Sequence, residues 1–245
     1  MNTSSFNFIT DDYIRAAPDT QLSSSETHLL HNLLSQEDQL HYNQTINIQL
    51  SDHILHILNH LTSLLYLDSS TIWMTTILLK KLTLQQYSID LLTIIASTTL
   101  SHKYQHSQAQ DTDYDLIAQY FHVQNIQLIH DTEIELLDIF SYDICETTPH
   151  HFFSYLTNLS NTNNNENLKQ TIEQARSLLS TISHQTFHLL HKYPSSIVAL
   201  SLISNITSNT FIIEQIKSFL LHKKDPQHYV KQLRECIFQL QSYTS

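Results

Sequence analysis

The chain contains no glycine in 245 residues, where ordinary usage of roughly 7% would supply about 17. A phosphate-cradling loop, a dinucleotide-binding turn and a nucleophile elbow all need glycine where the backbone approaches a ligand or bends sharply, so all three are excluded. Hairpin-rich sheets also depend on it, because their tight turns require positive φ. A helical bundle can do without glycine by ending its helices on Asn, Asp or Ser. Valine (3) and alanine (7) are scarce as well. All three residue types have codons beginning with G, so a nucleotide bias in the gene could produce the deficit, and residue position carries more weight than composition. Cysteine is limited to Cys145 and Cys236, which fit no disulfide or zinc spacing, and a reducing compartment is the default. Basic residues are few: 12 against 23 acids, for a net charge of -11. That balance argues against phosphate-backbone binding by the whole protein, so no nucleic-acid partner is expected. No apolar run approaches the roughly 18 residues of a membrane helix, and no segment reads as a cleavable leader.

What is present suits a globular helical protein. Hydrophobic residues make up 41% of the chain, and its length allows one large domain or two of about 100 residues each. Histidine is abundant, at 17. His53, His56 and His60 fall on one helical stripe, as do His184, His188 and His191. Neither HExxH nor a Cys/His cluster accompanies them, so they read as solvated helix faces, with no metal and no cofactor expected.

Residues 1–24 lack periodicity and read as a flexible segment. A short amphipathic helix follows, about 26–38, with Leu29, Leu30, Leu33 and Leu34 on one side. Leu50, Ile54, Ile57, Leu58, Leu61, Leu64 and Leu65 mark the next helix. Asp68-Ser69-Ser70 breaks it, and Ser69 or Ser70 can cap a helix over about 71–82. Residues 84–104 are apolar almost all round in the middle, as a helix enclosed by its neighbours would be. Helices at about 113–121 and 124–140 complete a group of five. Thr148-Pro149 then starts a new helix, a capping hydroxyl followed by proline at the first position. It runs to about 157 and meets the asparagine-rich linker "NLSNTNNNEN". A long helix spans about 167–191, Pro194 opens a second near-apolar helix, and two more lie near 209–222 and 226–242. The resulting expectation is all-α: two five-helix units, 25–145 with its preceding helix and 146–245, each built around a buried third helix.

The order of these elements, with several local strings, resembles a cyclin with two cyclin boxes. "ASTTLSHKYQ" (96–105) is similar to the end of the family's central helix. "TEIELLDIFSYDICETTPHHFFSYL" (132–156) resembles its fifth helix and the start of the second box, and "KYPSSIVALSLI" (192–203) the opening of the second central helix. "LLHNLLSQEDQ" (29–39) looks like the helix that precedes the first box. "TPHHFF" and "DPQHYVKQLRECIFQL" (225–240) place the likeness nearest D-type or compact viral D-like cyclins. It covers about residues 28–242.

The resemblance implies tandem cyclin-box repeats and a non-enzymatic regulatory subunit. Such a subunit binds and activates a cyclin-dependent protein kinase as a heterodimer, in cell-cycle control in the nucleus and/or cytoplasm, with no membrane attachment. In the family a lysine ending the third helix and a glutamate in the fifth hold backbone groups around the kinase's C-helix; here they would be Lys103 and Glu133. Leu100, Tyr104, Leu137 and Tyr142 would pack on that same helix. The family's arginine–aspartate pair is replaced by Ser51 and Lys80. Its substrate-docking groove is degenerate, with Leu50, Ile57, His60 and Leu91 at its usual Met, Trp, acidic and Gln positions, so basic-apolar docking peptides should bind poorly. The Leu-x-Cys-x-Glu of many D-type members is missing.

Each site residue also has a plain structural reading. A lysine ending an apolar helix ordinarily meets the helix dipole with a snorkelling stem. Glu133 taken alone reads as a partly exposed helix glutamate. Two other function classes stand beside the kinase activator. One is a degenerate cyclin-fold scaffold that binds a partner without activating a kinase. The other is a general transcription factor with two such repeats, which the acidic charge and the lack of a zinc ribbon disfavour.

Overall fold

The computed structural model describes residues 29–37, 50–106, 112–144, 146–162, 165–182, 190, 192–207 and 226–244. Among these the only regular structure is helical: α1 (residues 29–37), α2 (Asp52–Leu65), α3 (Ser69–Leu84), α4 (Leu91–Gln105), α5 (Tyr114–Phe121), α6 (Gln127–Ile139), α7 (Pro149–Thr162), α8 (Glu166–Thr181), α9 (Ser195–Ile206) and α10 (Pro226–Thr244). The all-α class expected from periodicity is the one adopted. Residues 1–24, the helix expected at 209–222, the later part of the one expected at 167–191, Cys145 and the stripe His184, His188 and His191 lie outside the described residues.

Two compact units emerge, interleaved in sequence. One comprises Ile46–Glu146 with Ile182–Lys192; the other comprises Met1–Thr45, Thr147–Thr181 and Tyr193–Ser245. In the first, α4 packs against α2, α3 and α6; in the second, α9 packs against α7, α8 and α10. Residues 29–37 fall in the α9 unit rather than with the helices that follow them in sequence. A polar contact helps to hold them there. Pro194, at the N-cap of α9, offers no side-chain acceptor. Glu37 of α1 supplies one instead, accepting from the Ser196 N–H and the Ser196 hydroxyl, each at 2.7 Å. A carboxylate at a helix N-terminus satisfies an otherwise unmet donor and suits the dipole.

Local caps shift several boundaries. Asp68, not Ser69 or Ser70, caps α3, accepting from Thr71 N–H at 2.8 Å. α4 starts at Leu91 rather than near 84, because Asp90 accepts from Thr93 N–H at 2.8 Å and stops the helix from extending backwards. Pro149 opens α7 as expected, but the Thr148 hydroxyl lies 3.0 Å from His151 Nδ1, which also accepts the Thr148 N–H. α7 continues through Thr162, so the first part of the asparagine-rich linker is helical.

The core of α4 is buried from Thr93 through Ser101 without a break. Only Ile94, Ile95, Ala96 and Leu100 of that run are apolar, and hydroxyls fill the other five places. A buried hydroxyl is costly unless bonded. Here the helix itself supplies acceptors: Thr98 donates to the Ile94 carbonyl and Ser101 to that of Ser97, both at 2.8 Å. Thr75 and Thr76 of α3 do the same to Thr71 and Ile72. Back-bonding of this kind lets Ser and Thr occupy a core, at a small cost in helix regularity.

Helix ends show how the chain manages without glycine. Tyr66 (φ 51°), Gln86 (φ 59°), His122 (φ 55°) and Ser141 (φ 52°) all adopt the left-handed conformation. The N–H of the next residue reaches a carbonyl five back in each case: Leu67 to Thr62, Tyr87 to Leu82, Val123 to Ala118 and Tyr142 to Leu137, at 2.8–3.1 Å. This is the Schellman closure, usually built on glycine. Tyr, Gln and His serve here, beyond the Asn, Asp or Ser expected. A side chain in that region costs about 1–2 kcal/mol, and glycine's extra unfolded-state entropy offsets about 0.5–1 of any relief. Gln86→Gly is therefore expected to stabilise the fold by about 0.5–1 kcal/mol. Its exposed neighbour Gln85 has φ -79°, so Gln85→Gly should destabilise by a similar amount. Urea-unfolding midpoints of the two variants check the opposite signs.

Candidate functional site

Glu133 sits in α6 and is 5% exposed, not the partly exposed glutamate that its sequence context suggested. Each carboxylate oxygen meets two partners. Thr99 of α4 donates to Oε1 at 2.5 Å, and the Tyr114 hydroxyl at the start of α5 does so at 2.7 Å. Lys103 Nζ donates to Oε2 at 2.8 Å, and His130 Nδ1 lies 3.4 Å from the same oxygen. Spacing explains the convergence: Thr99 and Lys103 are one turn apart on α4, and His130 and Glu133 one turn apart on α6. Tyr114 completes the cluster, its ring 4.3 Å from that of His130 and 5.0 Å from the Lys103 ammonium.

Electrostatics follow from these contacts. Burial pushes the Glu133 carboxyl up, but donors from Lys103, Thr99 and Tyr114 outweigh it and hold the group below its usual range. Burial, and then the bond to Glu133, drive the Tyr114 phenol well above its usual range, so it stays a donor at any physiological pH. Lys103 is only half committed: its side chain is 42% exposed, and it does more than meet the α4 dipole, because it neutralises a carboxylate from another helix.

The flanking residues divide into surface and support. Tyr104 is exposed, as is Tyr142, whose φ of 61° and bond to Asp138 turn it outward at 67% exposure. Leu137 is half-buried. Leu100 is buried and belongs to the core beneath the site, so it offers no exposed surface. Sequence reasoning missed three participants. Ile134, more than half exposed, is the α6 neighbour of Glu133 and was readable as such. Thr99 carried a signal too, four residues before Lys103. Tyr114 carried none, since nothing local ties it to Glu133.

Of the residues that the resemblance assigned to a degenerate groove, Leu50 and Ile57 are buried and Leu91 is half-buried. His60 meets His56 and Tyr120. Ser51 caps α2, accepting from Ile54 N–H at 3.4 Å. Burial lowers the Lys80 ammonium to about 8. Lys81 pairs with Glu146, a buried carboxylate just after α6, a contact spanning 65 residues that no local pattern announced. No group of three or more His, Cys, Asp or Glu among the described residues is arranged to hold a metal, and no helix there is long and apolar enough to cross a membrane. Compared with known proteins, the chain matches no family model and no curated protein.

Glu133→Gln removes the charge while keeping the shape. Because Lys103 can rehydrate, the expected cost at pH 7 is about 1–3 kcal/mol, below that of a fully buried pair. A lowered carboxyl pKa contributes stability that is fully present above the ordinary value of 4.5 and is lost as pH falls through the folded value. The gap between wild type and Glu133→Gln should therefore hold at neutral pH and narrow below about pH 4.5. Urea titrations from acid to neutral pH measure it.

Proposed function

We propose that the chain is a cyclin-like regulatory subunit that binds a cyclin-dependent protein kinase and favours its active state, without catalysing a reaction itself. The observation that supports this most is the Lys103–Glu133 pair, the two positions that the cyclin resemblance singles out from segments 30 residues apart. They meet at 2.8 Å, and Tyr104, Ile134 and Tyr142, from the same two helices and the turn after α6, are exposed. An ordered charge on a surface that also exposes aromatic and aliphatic side chains has the composition of a protein-binding hot spot. The tandem cyclin-box assignment for the α4 and α9 units is part of the same proposal.

The mechanism is a population shift. A kinase is competent when its C-helix glutamate pairs with the phosphate-binding lysine. A partner can favour that state only by binding it more tightly than the inactive one. Lys103, with donors left over after its bond to Glu133, would meet backbone carbonyls of the kinase helix, while Tyr104, Leu137 and Tyr142 cover its apolar side. The internal commitment of Glu133 favours a division of labour in which Lys103 makes the contact and Glu133 fixes it in place. The same commitment is what a scaffold that binds without activating would show, and activity separates the two.

Titrating the chain into purified cyclin-dependent kinases, while following affinity and phosphotransfer, is the direct test. Binding with stimulated phosphotransfer is expected. Lys103→Ala should weaken binding by about 30-fold or more, as truncation of a desolvated interface charge costs about 2–5 kcal/mol. Its melting temperature should also fall, because the substitution leaves the buried Glu133 carboxylate without its cation, so affinities are compared at a temperature where both proteins are fully folded. Lys169→Ala, on the exposed side of α8, should leave affinity unchanged. Binding without stimulation would leave the scaffold reading, and unchanged affinity for Lys103→Ala would remove this surface from the interaction.

A further inference from the structure

The solvent side of α2 carries a second arrangement, unrelated to the Glu133 cluster. His56 and His60, one turn apart, bring their ring centroids to 4.4 Å and their Nε2 atoms to 3.4 Å. Two ligands held about 2.0–2.1 Å from a tetrahedral ion are about 3.3–3.4 Å apart. Right-angle neighbours on a square-planar or octahedral ion would be about 2.9 Å apart. The spacing already present is that of two corners of a tetrahedron.

The other nitrogen of His60 is also engaged. Its Nδ1 lies 2.6 Å from the Tyr120 hydroxyl on α5. Metal-bound imidazoles ordinarily donate their second N–H to such an oxygen, which fixes the tautomer and aims the ligating lone pair. The net charge of -11 also raises the local concentration of cations. We propose that His56 and His60 form an open, two-imidazole site for a tetrahedral divalent transition-metal ion, zinc foremost, completed by water, with Tyr120 as its positioning residue.

The proton balance is simple. In the metal-free protein one Nε2–H donates to the other imidazole across the 3.4 Å gap. When the ion binds, each ring carries its proton on Nδ1, that of His60 being accepted by the Tyr120 oxygen, so both Nε2 lone pairs face the metal and no net proton is lost. His102 on α4 and His106 at its C-cap share the spacing but not the arrangement. Their rings are 4.9 Å apart, and His106 Nε2 is directed to Asp68 at 3.5 Å. That pair serves as an internal control.

The experiment is calorimetric titration of the chelator-stripped full chain with Zn²⁺. With 17 histidines present, the readout is the tightest site: one equivalent per chain is expected. His56→Gln and His60→Gln should each weaken that site by about tenfold or more, and Tyr120→Phe by about tenfold, with the far-ultraviolet spectrum unchanged because none of the three residues is buried. In Tyr120→Phe, ¹⁵N spectra should show that His60 has lost its tautomer preference, which a purely structural role for Tyr120 would not produce. His106→Gln should stay within about twofold of wild type. A wild-type chain without stoichiometric zinc binding overturns the proposal. So does retention of the site in either His56→Gln or His60→Gln, or an equal loss in His106→Gln.

Discussion

Keeping Glu133 ionised inside a helical core is the constraint on which the candidate surface depends. An unpaired carboxylate at that depth would cost several kcal/mol, and its neutral form would give up the bond to Lys103. The structure meets the constraint by drawing partners from three helices: Thr99 and Lys103 from α4, Tyr114 from α5 and His130 from α6 itself. Three helices are thereby held in one relative arrangement, and the exposed Tyr104, Ile134 and Tyr142 are presented from fixed backbone. A surface ordered before it meets a partner loses less entropy on binding.

Composition sets a second constraint. With alanine, valine and glycine scarce, the central helices must pack closely using other small side chains, and serine and threonine take that place. Each buried hydroxyl then needs an acceptor, and for Thr75, Thr76, Thr98 and Ser101 the carbonyl one turn back supplies it. The helix ends carry the matching compromise. Tyr66, Gln86, His122 and Ser141 accept left-handed backbone because a Schellman closure satisfies carbonyls that would otherwise be left unpaired. Ser141 and Tyr142 together turn the chain sharply after α6 and set the outward direction of Tyr142, so the compromise also shapes the candidate surface.

The Glu37–Ser196 contact follows the same logic across a greater distance. Where proline opens a helix and supplies no side-chain acceptor, a carboxylate from elsewhere in the chain does. That contact gives α1 a defined place beside α9 and accounts for its grouping with helices that follow it by more than 100 residues.

Helical class, most helix positions and the enclosure of α4 and α9 were legible in the sequence, because periodicity and capping residues act within a turn or two. Asp90 shows the limit of that legibility. An apolar run from 84 reads as one helix until the aspartate's preference for a cap is weighed against it. Lys103 and Glu133 were legible as candidates only through a resemblance, and their burial was not, since it depends on Thr99 and Tyr114 arriving from other helices. Lys81–Glu146 and Glu37–Ser196 lay wholly beyond local pattern, at separations of 65 and 159 residues. Short-range hydrogen bonds and hydrophobic period are written into neighbouring residues and so could be read directly. Which buried charge meets which donor is decided only when helices pack, because that pairing is set by the low dielectric and close distances that packing creates.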